Sequence, residues 1–300
     1  MITLFSTPKN FTDIFKTIQL NAMRSWRKLS PEIQIIIFGN SEGSKEAAKE
    51  IQAEYIPKVQ CSRQGTPLLS DLFRQAQNTA KNSIMTFINA DIILPENFLE
   101  NIQLTYLEFN KFLIVGHRWD MDVDTLINFE NETECKLFWE RVKVESKKHP
   151  CTGIDYFVYK RNQWSNIPDF IIGRPGYDNW MIWKARRNFI PVIDASNEII
   201  AVHQNHDYNF HNSKQPLVPG TKLPARYKKS DPEGIINRKL HKGRLLNLLD
   251  TNYLLSEGKI NKNKSKEYFI RNLHRLPTIF PEVAFPIKLY RRIYKRLILD

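Results

Sequence analysis

The sequence predicts an α/β fold with a mainly parallel sheet. Short apolar runs alternate with amphipathic stretches through the first 120 residues. The runs are nearly continuous and rich in β-branched residues, as strands buried on both faces are. Polar residues gather directly after several of these runs, at the strand ends where ligands bind in such sheets.

"ITLF" (2–5) is the first strand. Thr12 stands as N-cap of a helix with Ile14, Phe15, Ile18, Ala22, Trp26 and Leu29 at helical spacing. "IQIIIF" (33–38) is the second strand, and "GNSEGS" turns into the helix "KEAAKEIQAE". A helix over 68–80 leads to the strand "IMTFIN" (84–89). Pro95 suits position N1 of "PENFLENIQLTYLEF", and "FLIVGH" (112–117) is another strand. This alternation implies right-handed crossovers.

The middle of the chain is less regular. Residues 118–150 read as polar loops with one helix around 132–145, and "GIDYFVYK" (153–160) as a strand. "IIGRPGYDNWMIWKARRNFI" is a Gly/Pro-marked loop entering a helix, and "NEIIAVHQNHDYNFH" ends a short strand in three histidines. Pro216, Pro219, Pro224 and Pro232 mark a surface loop. From Glu233 the chain reads as helical and basic. The expected organisation is a ligand-binding domain over 1–211, a linker over 212–232 and a helical extension over 233–300.

At 300 residues, 42% hydrophobic and 25% charged, the composition is that of an ordinary globular protein with a full core. No internal repeat is found. The N-terminus lacks the basic and apolar regions of a signal peptide, and no run reaches the ~18–20 apolar residues of a membrane span. Cys61, Cys135 and Cys151 are scattered, which suits reduced thiols and a cytoplasmic setting. The net charge is +12, but residues 242–300 hold 13 Lys/Arg against 5 Asp/Glu, so the excess belongs to a tail. A nucleic-acid interface would instead spread cations and aromatics over the folded domain, and none is expected.

"MTFINADIILPENF" (85–98) carries the chemistry. Asn89 and Asp91 end a strand two residues apart, so their oxygens lie on the same side of an extended chain and suit a hard divalent cation. Strand-ending turns also favour Asn and Asp.

"FINADIILPENF", "IIIFGNSEG", "RQGTPLLSDLF", "GRPGYDNWMIW" and "VHQNHDY" together resemble the GT-A nucleotide-sugar-dependent glycosyltransferases, over roughly residues 1–210. The resemblance implies a UDP-sugar donor and a metal at an Asp-x-Asp element. Here Asn89 replaces the first Asp, leaving Asp91 as the one carboxylate. It also implies a late histidine ligand: His203 fits best, directly after "IIAV", with His206 second. Imidazole favours Mn²⁺ over Mg²⁺. On this reading Asn89→Asp leaves metal binding intact or tightens it.

Asp178 is the expected base that deprotonates the acceptor in an inverting transfer; the alternative is an N-cap. Asp155 is a second carboxylate, for the acceptor or for a turn. Trp164, Trp180 and Trp183 suit sugar stacking or, at helical spacing, the core. Ser6, Thr7, Asn40, Ser41 and Glu42 are expected at the base and ribose, with Arg63 or Asp71 reaching the donor; capping or solvated loops are the alternatives.

The expected activity is metal-dependent transfer of a sugar to a glycan or lipid-linked acceptor. A sugar-phosphate nucleotidyltransferase is the alternative, though "FSTPKNF" lacks its glycine-rich loop. A non-catalytic sugar-binding relative is another. The tail "FPIKLYRRIYKRLILD" (285–300) forms a helix with one apolar and one cationic face, suited to an anionic membrane surface through 284–300 or to docking on the protein's own core.

Overall fold

The computed structural model describes residues 1–206 and 231–283. Most of the expected linker, and the amphipathic tail 284–300, lie outside the described residues.

The mainly parallel α/β sheet is present. It has nine strands, in the order β13-β12-β10-β6-β9-β4-β1-β2-β3. In chain order these are β1 (Ile2–Ser6), β2 (Gln34–Phe38), β3 (Glu54–Ile56), β4 (Ile84–Ile88), β6 (Leu113–Val115), β9 (Tyr156–Lys160), β10 (Val192–Asp194), β12 (Tyr253–Ser256) and β13 (Lys259–Lys262). β1 pairs in parallel with both β2 and β4, while β9 runs antiparallel between β4 and β6. β1, β2 and β4 are buried along their whole length, which accounts for their continuous apolar sequences.

A second sheet of four short strands has the order β5-β11-β7-β8: β5 (Ile92–Ile93), β7 (Arg118–Met121), β8 (Lys147–Lys148) and β11 (Ala201–Gln204). Two of its strands, β7 and β8, stand where 118–150 was expected to be loop around one helix. That helix is present as α5 (Glu132–Glu145), but β7 and β8 were hidden by their polar residues. β11 includes His203, which is thus inside a strand rather than after it.

The remaining helices are α1 (Asp13–Leu29), α2 (Ser44–Glu50), α3 (Leu69–Thr79), α4 (Phe98–Glu108), α6 (Tyr177–Arg187), α7 (Pro232–His241) and α8 (Lys266–Ile279). Trp26 in α1 is fully buried, and its indole N–H donates to the Ile92 carbonyl at 2.8 Å, pinning the helix over the second sheet. Thr12 holds the N-cap position of α1, but its side chain makes no capping bond. Pro95 does not start α4. Its carbonyl accepts from Phe98 N–H at 3.1 Å, so a turn precedes the helix.

The region after Glu233 is not wholly helical. The β12–β13 hairpin intervenes between α7 and α8, and β12 joins β10 in parallel, so this part of the chain completes the main sheet. Among the described residues no helix is long and apolar enough to cross a membrane.

Candidate functional site

A cavity of about 450 Å³ opens at the carboxyl ends of β1, β2 and β4, within the size range of small-molecule sites. Thr7 lines it from β1, Gly39, Asn40 and Ser41 from β2, and Asn89, Ala90 and Asp91 from β4. The turn after β2 needs glycine: Gly39 has φ +92°, and a Cβ there would stand 3.2 Å from Thr7 Oγ1. Ser41 donates to the Pro8 carbonyl at 2.9 Å and ties the two strand ends together.

Asp91 is the focus of the cavity. Ligand atoms of Asp91, His203 and His206 all lie within 4.8 Å of one another. His206 Nε2 is 3.0 Å and His203 Nε2 3.7 Å from Asp91 Oδ2. Asp91 Oδ1 is buried and has no hydrogen-bond partner among the described residues. Burial raises the Asp91 carboxyl, but His203, the His206 hydrogen bond and Arg118 outweigh it and hold the group below the usual carboxylate range. Gln204, fully buried beside His203, donates its side-chain N–H to the Ile18 carbonyl at 2.7 Å and to the Asp91 carbonyl at 3.1 Å. Two imidazoles and one carboxylate, whose Oδ1 is the buried atom without a partner among the described residues, make a donor set that could hold a divalent metal ion.

Asn89 faces elsewhere. Its amide N–H donates to Asp155 Oδ1 at 2.5 Å, and its oxygen accepts from the Tyr177 hydroxyl at 3.4 Å. Arg118 donates to Asp155 Oδ2 at 3.1 Å, so both Asp155 oxygens are engaged. The group that could hold a metal ion is Asp91 with both histidines; Asn89 lines the cavity as the partner of Asp155. This changes the expectation for Asn89→Asp, which would set one carboxylate against another.

Cations complete the wall. Lys9 and Arg174 line the cavity, and burial lowers the Lys9 pKa, with Asp91 opposing and Arg174 assisting. Arg174 is held by Asp231 at 3.1 Å and by Glu233 at 2.8 Å. Glu233, 1% exposed, also accepts from the Ser62 hydroxyl and, at 2.9 Å, from Thr66, so α7 braces two rim loops at once.

No family model and no curated protein matches the chain. Solved structures similar to it include Staphylococcus aureus TarS 1–349 with UDP-GlcNAc, at 12% identity and a TM-score of 0.32 over 42% of this chain. The match spans only 37% of that TarS chain. Mycobacterium tuberculosis glucosyl-3-phosphoglycerate synthase is similar at 14% identity and a TM-score of 0.44 in its complex with Mn²⁺ and UDP-glucose, over 70% of this chain and 73% of that one. Its complex with Mg²⁺ and UDP is similar at 13% and 0.43, over 69% and 72%.

Of the residues singled out from sequence, Thr7, Asn40, Ser41, Asn89, Asp91, Asp155 and His203 line the cavity. Ser6, Glu42, Arg63 and Asp71 are not in its wall. Ser6 is fully buried and donates to the Ile88 carbonyl at 2.6 Å, a strand-to-strand tie. Glu42 and Arg63 are exposed. Asp71 accepts from Gln60 N–H at 2.8 Å, from Gln75 at 2.7 Å and from Arg74, fastening α3 to the preceding segment. Trp180 and Trp183 are buried in the core around α6, and Trp164 belongs to the same cluster.

Asp178 is not in the wall either; its neighbour Tyr177 is. Gly176 takes the N-cap position of α6, and Asp178 Oδ1 accepts its N–H at 3.1 Å. Burial, opposed by backbone N–H groups and reinforced by Asp155, pushes the Asp178 pKa up to about 6. Sequence reading missed Lys9, Arg118, Asp120 and Arg174. Arg118 and Asp120 alternate along β7, a weak signal in a segment with other acidic residues nearby.

Proposed function

We propose that this chain is a metal-dependent glycosyltransferase that moves a sugar from a nucleotide donor, UDP in the first instance, to a glycan or lipid-linked acceptor. The observation that carries the reading is Asp91 with His203 and His206 in a cavity at the carboxyl ends of β1, β2 and β4. Two histidines and one carboxylate also bind Fe(II) in oxygenases. The neighbouring Lys9 and Arg174, and the strand-end position, favour an anionic nucleotide instead.

Asp91, His203 and His206 would hold a divalent ion, which would supply positive charge for a diphosphate leaving group. Thr7, Asn40 and Ser41 offer polar contacts to the nucleoside, and Lys9 and Arg174 add charge along the phosphates. Asp178 lies outside the cavity wall beside the wall residue Tyr177, so on this reading the acceptor hydroxyl reaches it past that residue; with a pKa near 6 it is largely ionised at neutral pH and acts as the base. Asp155 is a poorer base because Asn89 and Arg118 already occupy both of its oxygens. Direct attack from the far side inverts the anomeric centre.

A cytoplasmic enzyme with the basic segment 284–300 against an anionic membrane face suits a lipid-linked acceptor. Its binding to anionic vesicles falls with salt and is lost on deleting 284–300; failure to bind at low salt removes the membrane role.

The experiment for the activity is calorimetric titration of UDP with and without Mn²⁺, paired with hydrolysis of a panel of UDP-sugars. Mn²⁺ tightens UDP binding to the wild type, and Asp91→Ala loses that gain, by at least the ~10–100-fold seen for groups that merely support a ligand. Unchanged Mn²⁺-dependent UDP affinity in folded Asp91→Ala overturns the reading.

A further inference from the structure

We infer that Asp120 is a positioning residue for the metal site, acting through His203; the inference rests on the metal reading of Asp91, His203 and His206. β11 and β7 pair in parallel with His203 opposite Asp120 in register, so the two side chains share one face of the small sheet. His203 Nδ1 stands 3.1 Å from Asp120 Oδ1, an ion-pair contact in which the angle falls short of a formed hydrogen bond, while Nε2 on the other side of the ring is the nitrogen turned to Asp91. Only one nitrogen of a neutral imidazole carries the proton. A carboxylate beside Nδ1 keeps the proton there and leaves the Nε2 lone pair for a metal. Carboxylates placed this way orient ligating histidines and raise their basicity.

Asp120 is itself fixed. Arg118 Nε is 2.9 Å from its Oδ1, and His149 Nδ1 is 2.5 Å from its Oδ2. Arg118 lies two residues along the same strand and also reaches Asp155 at 3.1 Å. One guanidinium therefore joins the carboxylate behind His203 to a carboxylate of the cavity wall. β8, which pairs Lys147 with Asp120, leads directly into His149. Nothing in this arrangement needs Asp120 to touch a substrate; its place behind the imidazole is what assigns its role.

The test is a double-mutant cycle read as Mn²⁺ affinity, with Mn²⁺ titrated alone into wild type, Asp120→Asn, His203→Ala and the double variant, and with melting temperatures as the check on folding. Asp120→Asn weakens Mn²⁺ binding ~10–100-fold in the wild-type background. In the His203→Ala background the same change alters it by less than about 2-fold, because the route through the imidazole is gone. An equal loss in both backgrounds, or no loss in Asp120→Asn, overturns the inference. If Asp120→Asn does not fold, Asp120→Glu, which keeps the charge but displaces the carboxylate, takes its place in the cycle. A wild type that binds no Mn²⁺ overturns the metal reading and this inference with it. A wild type that binds Mn²⁺ while both folded Asp120 variants match it overturns the inference alone.

Discussion

The two sheets divide the work differently. The nine-stranded sheet is built from runs such as Gln34–Phe38 and Ile84–Ile88, buried throughout and joined by long apolar contacts. Its contribution to the site is placement: the ends of β1, β2 and β4 bring Thr7, Asn40 and Asp91 to one cavity. The four-stranded sheet is short and carries charged and imidazole side chains, with His203 and Gln204 buried in β11 and Asp120 and Arg118 on β7. Under the metal reading its contribution is orientation. Burying polar groups is costly unless they are paired, and here the pairing is mainly ionic, with Asp120 beside Arg118, His149 and His203. The difference teaches that stability and chemistry are separable here, and substitutions should separate them.

The largest expected effect concerns Asp178. Asp178→Asn should lower turnover ~10²–10⁴-fold while sparing UDP affinity. Wild-type turnover should fall as the pH drops through about 6, where the carboxylate is protonated. The stability effect has the opposite sign. The folded pKa is raised above the unfolded one, so the native state holds more protons between about pH 4 and 6, and stability falls as pH rises through that window. Above it the cost is fully present. Asp178→Asn should therefore melt higher than wild type at pH 7.5 and equally at pH 4. Full activity, or lost UDP binding, removes Asp178 as the base.

The second tests the large sheet. Phe157 on β9 is fully buried in the core and stacks on Phe87 with centroids 6.1 Å apart. Phe157→Ala should destabilise the fold by ~3–5 kcal/mol, measured by urea unfolding, with Mn²⁺ affinity unchanged where the variant is folded. A matching loss of metal affinity would break the separation between the sheets.

The smallest effect sharpens the boundary between them. Asn89→Asp replaces a donor to Asp155 with a second carboxylate. The expected outcome is a loss of ~1–3 kcal/mol in stability at neutral pH, recovered at low pH as a carboxyl protonates. Tighter Mn²⁺ binding without destabilisation would return Asn89 to the ligand set.

The sequence by itself determined the α/β class and the approximate positions of β1, β2, β4 and β9, because strands buried on both faces must be apolar along their length. It also singled out Asp91, since a polar cluster ending an apolar run is a local signal, whereas His203 was expected through the family resemblance and lies inside β11 rather than after a strand. The short strands β7 and β8 escaped it, as did the β12–β13 hairpin that completes the sheet beyond Glu233. Their identity comes from partners far along the chain, not from their own pattern. The same reason explains Asn89 and Asp120. Whether the Asn89 amide turns its oxygen to a metal or its N–H to a carboxylate depends on Asp155, 66 residues away, and Asp120 gains its place only when β11 lies beside β7. Tertiary structure decided those placements because hydrogen bonding and charge act through space, over a few ångströms that the linear sequence does not record.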